Sequence, residues 1–401
     1  MKWLILGLIW ALPLLVIKGI DDPWNEPKEL LWLAGTWLII LRGLFQNQII
    51  LRFWPERWAG WVASWVLIVG LMRFSWPFLM REPDATQVVY AIHHWIPTIY
   101  VLTAMLGIRV LSSWMHNSGH LAWVTKALCL SALLIGIYAL AQGFGIEEFF
   151  RANYNVASPS KPMGVAFGNA GTTAMYLAIL LPLFFLLQGW RWMLAGALLL
   201  VIILWLPGRS AWVVAASGLG TYAWCRLWMQ PRARSFRLLL VGGLLVSVLG
   251  GGWYCLHQVR ADERWPVWQE TLSQWRTSPH PWTGMGLQAF PDRFIGQRHL
   301  LSAEAQVAMR SARWTTPMNE WLQALYELGL IGVLLQGLWA VALLGLGWRM
   351  SHTPIGAGWL AMGVALLVCS IVFFPWHYAP LTWLGMLTVA VVVRPTEGVL
   401  E

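Results

Sequence analysis

The chain has 401 residues, of which 58% are hydrophobic and only 11% charged, with a formal net charge of +9. A soluble domain is charged at nearer a quarter of its positions, so this is read as an all-α polytopic membrane protein with no room for a sizeable soluble domain. The basic residues are spread over the flanks of apolar runs and one long loop, which suits anionic lipid headgroups or a diphosphate and not nucleic acid.

Hydropathy and its Pro and Gly breakers predict helices over 1–20, 29–46, 57–79, 86–112, 122–144, 171–188, 191–206, 210–228, 237–256, 319–347, 356–374 and 378–393. That makes about 12 spans in a single integral domain, 1–401, with both termini on one side. The first run follows Lys2, lacks a small-residue cleavage site, and reads as an uncleaved helix. Arg226, Arg232, Arg234 and Arg237 crowd the connection after 210–228, which assigns it to the cytoplasm by the positive-inside tendency. Alternation then sends 145–168 and the long loop 257–318 to the extracytoplasmic face. Many of the 31 Trp fall near predicted span ends, as interfacial indoles do. Cys129, Cys225, Cys255 and Cys369 lie in or beside apolar runs without metal or redox spacing and are read as buried thiols.

The segments between spans carry the chemistry. Arg151 and Lys161 lie in 145–168, which ends in Gly164-Val165-Ala166-Phe167-Gly168-Asn169. Its glycines permit close backbone approach, and Asn169 is placed to cap the next helix. Pro207-Gly208-Arg209-Ser210 breaks two apolar runs; Arg209 there either snorkels to the headgroups or clamps a diphosphate beside free helix N–H groups. The long loop holds Arg260, Arg264, Arg276, Arg293, Arg298, Arg310 and Arg313, against the charge rule, so its cations need another reason. Arg264 and Trp268 are four apart and share a helix face, and the loop's indoles Trp265, Trp268, Trp275, Trp282 and Trp314 offer flat faces to a sugar ring. Pro279, His280, Pro281, Gly284, Gly286 and Phe290 mark a turn-rich stretch. Asn319-Glu320-Trp321-Leu322-Gln323 then leads to Glu327-Leu328-Gly329-Leu330-Ile331-Gly332, polar groups at the outer end of the tenth span, where function is the default reading.

In this order, over 160–345, the motifs resemble the O-antigen ligase and O-antigen polymerase family of bacterial envelope glycosyltransferases. Arg264 to Phe290 is similar to the family's R-x-x-x-W and P-x-x-G-x-G-x-x-x-F, and Asn319 to Gly332 is similar to its H-N-x-x-L-Q-x-x-x-E-x-G-x-x-G. Phe374-Pro375-Trp376-His377 before the last span is similar as well. The resemblance implies an inverting enzyme without metal or other cofactor. It would move or polymerise a glycan from undecaprenyl diphosphate, at the outer face of the cytoplasmic membrane, onto an acceptor glycan, lipid or protein. Arg209 and Arg264 would hold the diphosphate, with Asn169, Arg151, Lys161, Arg260, Arg313, Asn319, His280 and Trp268 on the substrate. Where the family has a histidine before the asparagine, this chain has Met318, whose thioether cannot take a proton. Glu320, His280, His299 and His377 are the candidate replacements, with Glu320 favoured; the plainer reading of Glu320 is a charge at its helix's positive end. Ala170 also departs from the family's proline. A transporter of an anionic lipid or solute, and a non-catalytic relative that binds lipid-linked glycan, are the alternative readings.

Overall fold

The computed structural model describes residues 1–16, 25–46, 85–146, 167–228, 264–286, 289–290, 294, 301–310 and 316–393. Among these residues every regular element is helical: α1 (Lys2–Leu14), α2 (Glu26–Phe45), α3 (Ala85–Trp114), α4 (Ser118–Gly143), α5 (Ala170–Phe184), α6 (Trp190–Trp205), α7 (Arg209–Trp228), α8 (Arg264–Thr277), α9 (Ala303–Arg310), α10 (Glu320–Met350), α11 (Pro354–Val372) and α12 (Ala379–Val392). A 3-10 turn, Pro375–His377, joins α11 to α12. The predicted spans 57–79 and 237–256 lie outside the described residues, as do Arg151, Lys161, Arg232, Arg234, Arg237, Cys255, Arg260, His299 and Arg313.

Among the described residues three helices, α4, α10 and α11, are long and apolar enough to cross a membrane, and α1, Ile99–Trp114 of α3, α5, α6 and α12 are shorter apolar helices. Side-chain caps set several starts. Asn117, Asn169, Asn319 and Thr353 each accept a backbone N–H from the first turn of α4, α5, α10 and α11. The expected run 171–188 stops at Phe184, because 185–189 form a turn that ends in Gly189 at φ 113. From Thr172 to Phe184 α5 is buried on every side, and it packs on α4, α6, α7 and α11 as the centre of the bundle.

Two side-chain contacts fix which ends coincide. Met175 in α5 meets Cys369 in α11 (Sδ to Sγ, 3.9 Å). Gly208, just before α7, lies so near the start of α5 that a Cβ there would be 3.4 Å from Gly171 Cα. The starts of α5 and α7 and the end of α11 therefore share one end of the bundle, here the site end. The opposite end shows an edge-to-face Trp228–Trp348 pair, a Trp114–His120 stack and Lys2 over Trp123, with Arg226 and Arg349 in the last turns of α7 and α10.

The expected tenth span, 319–347, is not one straight helix. Gly329 inside α10 has φ 69 and ψ −166, which divides the element into 320–328 and 330–350. Trp321 and Gly337 lie eight residues to either side of it, and a straight helix would hold them about 24 Å apart. Instead a Cβ on Gly337 would stand 3.9 Å from Trp321 Cζ3. A Cβ on Gly332 would overlap Leu328 Cβ. The short first segment is thus folded back along the second. Residues 330–350 still extend about 31 Å, enough for a bilayer core.

Such a break strands backbone groups, and a loop takes them up. The amides of Leu330 and Ile331 donate to Pro281 O (3.0 Å) and Trp282 O (3.1 Å); Met285 and Gly286 donate to Tyr326 O (2.9 Å) and Glu327 O (2.8 Å). Gly284 and Gly329 face each other so closely that a Cβ on either would overlap the other strand's backbone, and both have positive φ. The glycines of the loop motif and of the helix motif are halves of one backbone lock.

Candidate active site

Glu320, the first residue of α10, is 6% exposed. Asn319, 7% exposed, caps the helix by accepting from Trp321 N (2.9 Å) and Leu322 N (3.0 Å), so Glu320 is not needed as the cap. Its carboxylate reaches across to the turn after α11 instead. Oε1 accepts the Trp376 N–H at 2.9 Å, and Oε2 lies 3.6 Å from His377 Nε2. The fold-back of 320–328 makes this contact possible, and it also puts Trp321 Nε1 within 3.0 Å of Ser370 Oγ near the end of α11.

His377 sits on that turn with its side chain 35% exposed against 8% for Glu320. Burial pulls its pKa down, but the Glu320 carboxylate, with Glu327 of α10 and Glu29 of α2 farther off, holds it above the ordinary histidine value. Rigid neighbours surround the turn. Thr382 Oγ1 donates to Trp376 O at 3.0 Å, and the Trp376 ring packs edge-on against Trp339 and closely over Gly385.

Arg264 begins α8 and donates from a guanidinium nitrogen to Val372 O (3.1 Å), the last residue of α11 and five before His377. A cation is at home against helix-terminal carbonyls. One turn along α8, the Trp268 indole N–H donates to Pro317 O (2.6 Å), which leaves the ring face as what this residue can offer a ligand. The shared face expected of Arg264 and Trp268 therefore clamps two chain segments at the site end, one just before α10 and the other the last residue of α11.

Asn169 and Arg209 form a second group. Asn169 caps α5 as expected, its Oδ1 accepting from Gly171 N, and Gly208 packs on that same turn, with Arg209 exposed at the start of α7. His280 is not brought to Glu320: it is exposed on the loop locked to the Gly329 bend, where Pro281 is level with Leu330. Glu327 joins that lock, its Oε1 accepting from Phe290 N (3.2 Å) and from Gln323 Nε2 (3.4 Å). Gln323 Oε1 is buried without a hydrogen bond among the described residues.

Sequence reasoning passed over Lys28 and Glu29. Lys28 is 1% exposed, with Nζ 5.2 Å above the ring of Phe167 from the Gly164 to Asn169 motif. Glu29 accepts from Tyr100 Oη at 3.5 Å and contributes to the charge around His377. The signal was available, since charges opening an apolar helix are functional by default unless they snorkel.

Fold and site together describe a helical membrane protein with its polar machinery gathered at one end of the bundle. Residues 194–336 match the model of the O-antigen ligase family. The match falls inside 160–345, where the motif order resembles that family. It takes in Arg209, Arg264, the 281–286 loop and Asn319 to Gly332, and leaves Asn169 and His377 beyond its ends. That match supports an enzyme of the ligase or glycosyltransferase type, a family to which lipid-linked glycan substrates belong, and with the apolar helices it suggests a multi-pass protein of the bacterial inner membrane. No curated protein matches the chain.

Proposed function

We propose that the protein transfers a glycan from undecaprenyl diphosphate to an acceptor hydroxyl at the outer face of the cytoplasmic membrane, with inversion at the anomeric carbon and without metal. Arg209 and Arg264 bind the diphosphate. Bidentate, charge-assisted bonds from guanidinium groups strengthen as the leaving group gains charge, which is how they lower the barrier. Arg151, Lys161, Arg260 and Arg313 add cations along the path of the diphosphate or its glycan, while Asn169, Asn319, His280 and the Trp268 ring line the sugar side. Gln323 Oε1, buried and short of a donor, suits a sugar hydroxyl.

The observation that carries this reading is the attachment of Arg264 to Val372 O, beside the turn where Glu320 meets His377. A phosphate-binding group and a proton-handling pair on one helix end are what displacement of a diphosphate by a hydroxyl requires. Lys2, Arg226 and Arg349 at the far end are consistent with a cytoplasmic side there and an outward-facing site.

Purified protein supplied with undecaprenyl-diphosphate-linked glycan should form product, and Arg209→Lys should lose most of it, because an ammonium cannot reproduce the guanidinium fork. Near-normal transfer by Arg209→Lys would sink the clamp role. Movement of the lipid across a vesicle without bond cleavage would instead identify a transporter. Ser302→Cys in intact cells should react with an impermeant thiol reagent from outside, and labelling only from the cytoplasm would invert the topology.

A further inference from the structure

We propose that His377 is the catalytic base that takes the proton of the acceptor hydroxyl, and that Glu320 is its positioning residue. This rests on the glycosyl-transfer reading. Both groups belong to one contact, but their surroundings differ. Glu320 is shut in, with one oxygen taken by the Trp376 amide and the other turned to the imidazole. His377 keeps about a third of its side chain open, so it is the member of the pair that a substrate can touch.

The geometry also assigns the ring nitrogens. With Nε2 turned to the carboxylate, the proton of the neutral ring belongs on Nε2 and the lone pair on Nδ1. The turn that carries the ring is held at its middle residue through both backbone groups: the Trp376 amide donates to Glu320, and Thr382 Oγ1 donates to Trp376 O. Such fixation of a base by a carboxylate behind it is the general arrangement for an imidazole that must accept a proton and then exist briefly as a cation.

In the step, the acceptor's O–H proton passes to Nδ1 while an electron pair of that oxygen forms the new bond to the anomeric carbon. The bond from that carbon to the diphosphate oxygen breaks, its electron pair leaving with undecaprenyl diphosphate beside Arg264. Charge balances: the base gains one positive charge beside Glu320, and the leaving diphosphate gains one negative charge beside arginine. The carboxylates that act on His377 are Glu320 and Glu327 from α10 and Glu29 from α2, and the cation Arg264 of α8 is held at Val372, five residues before it. The carboxylates outweigh burial and strengthen the base.

The test is the pH profile of kcat/KM with undecaprenyl-diphosphate-linked glycan and a hydroxyl acceptor. Wild type should gain activity as pH rises through the ionisation of His377, at a midpoint above that of an ordinary histidine. Glu320→Gln should move the midpoint to lower pH, since the raising charge is gone. His377→Gln should lower kcat by about 10²–10⁴ with donor binding unchanged, and added imidazole should restore part of the turnover of His377→Ala, which guards against a mere folding defect. An active wild type beside an equally active His377→Gln would overturn this assignment alone. So would a wild-type rate that falls as pH rises through the same range, which would make His377 a cation for the diphosphate. A well-folded wild type that forms no product would overturn the glycosyl-transfer reading, and the base with it.

Discussion

Two buried carboxylates stand seven residues apart on α10, both 6% exposed, and they serve opposite ends. Glu327 is spent on structure: its oxygen takes the Phe290 amide and the Gln323 side chain while its backbone carbonyl holds Gly286. Glu320 gives one oxygen to a backbone amide and turns the other to a half-open imidazole. Burial of a charge therefore does not by itself mark a site. What marks it is whether the charge acts on a group that something outside the protein can reach.

The largest effect should come from breaking the frame that both carboxylates share. Gly329→Ala or Gly284→Ala forces a Cβ into opposing backbone at a positive φ, so overlap and backbone strain act together and should cost about 3–5 kcal/mol. Low yield and early thermal unfolding in detergent would show it; a normal melting profile would mean that the lock is not as tight as drawn. Next comes Glu327→Ala, which leaves the buried Phe290 N–H unpaired and should lose about 1–3 kcal/mol, while the pH midpoint of whatever activity survives moves down by less than in Glu320→Gln.

Glu320→Gln should do the reverse, costing little stability because an amide oxygen can still accept from Trp376, yet lowering turnover. A pH signature follows from His377. Its folded pKa is raised, so the stability it contributes is fully present below the unfolded value and is lost as pH rises through the folded one. Melting temperatures taken across that window should fall with pH in wild type and stay flatter in His377→Gln. An identical slope in both would break the pairing.

The smallest effect is expected at Met318, whose backbone has φ 55. That region is sparse for methionine and several-fold enriched in histidine and asparagine. Met318→His should thus fold with a change of under about 1 kcal/mol, the relief of backbone offsetting the loss of its packing against both the bundle core and the smaller cluster around Phe290. A collapse in stability would show that the packing dominates.

Most helix positions were readable in the sequence, because apolar runs and their caps are local: Asn169 was expected to cap α5 and does so. The division of the tenth span was not, since 319–347 is continuous in hydropathy and only the backbone of Gly329 breaks it. Arg264 and Trp268 were readable as one face, but not that the face would grip Val372 and Pro317, which lie 108 and 49 residues away in the chain. Glu320 was singled out as the group beside Met318 that handles a proton. His280, His299 and His377 were read as alternatives to it, and that one of them, His377, lies beside Glu320 could not be seen without knowing that the chain folds back and lays α10 against the turn after α11.

The loop and the bend exchange their amides reciprocally, so neither can open alone. Leu330 and Ile331 lose their acceptors when 281–282 lifts, and Met285 and Gly286 lose theirs when 326–327 straightens. In hydrogen exchange these four amides, drawn from places more than forty residues apart, should therefore behave as a single protected unit and disappear together when the protein is warmed. The long polar insertion is in that sense locked to the bend of the membrane span, and whatever rearrangement admits a bulky glycan must either pivot about Gly284 and Gly329 or leave them in place.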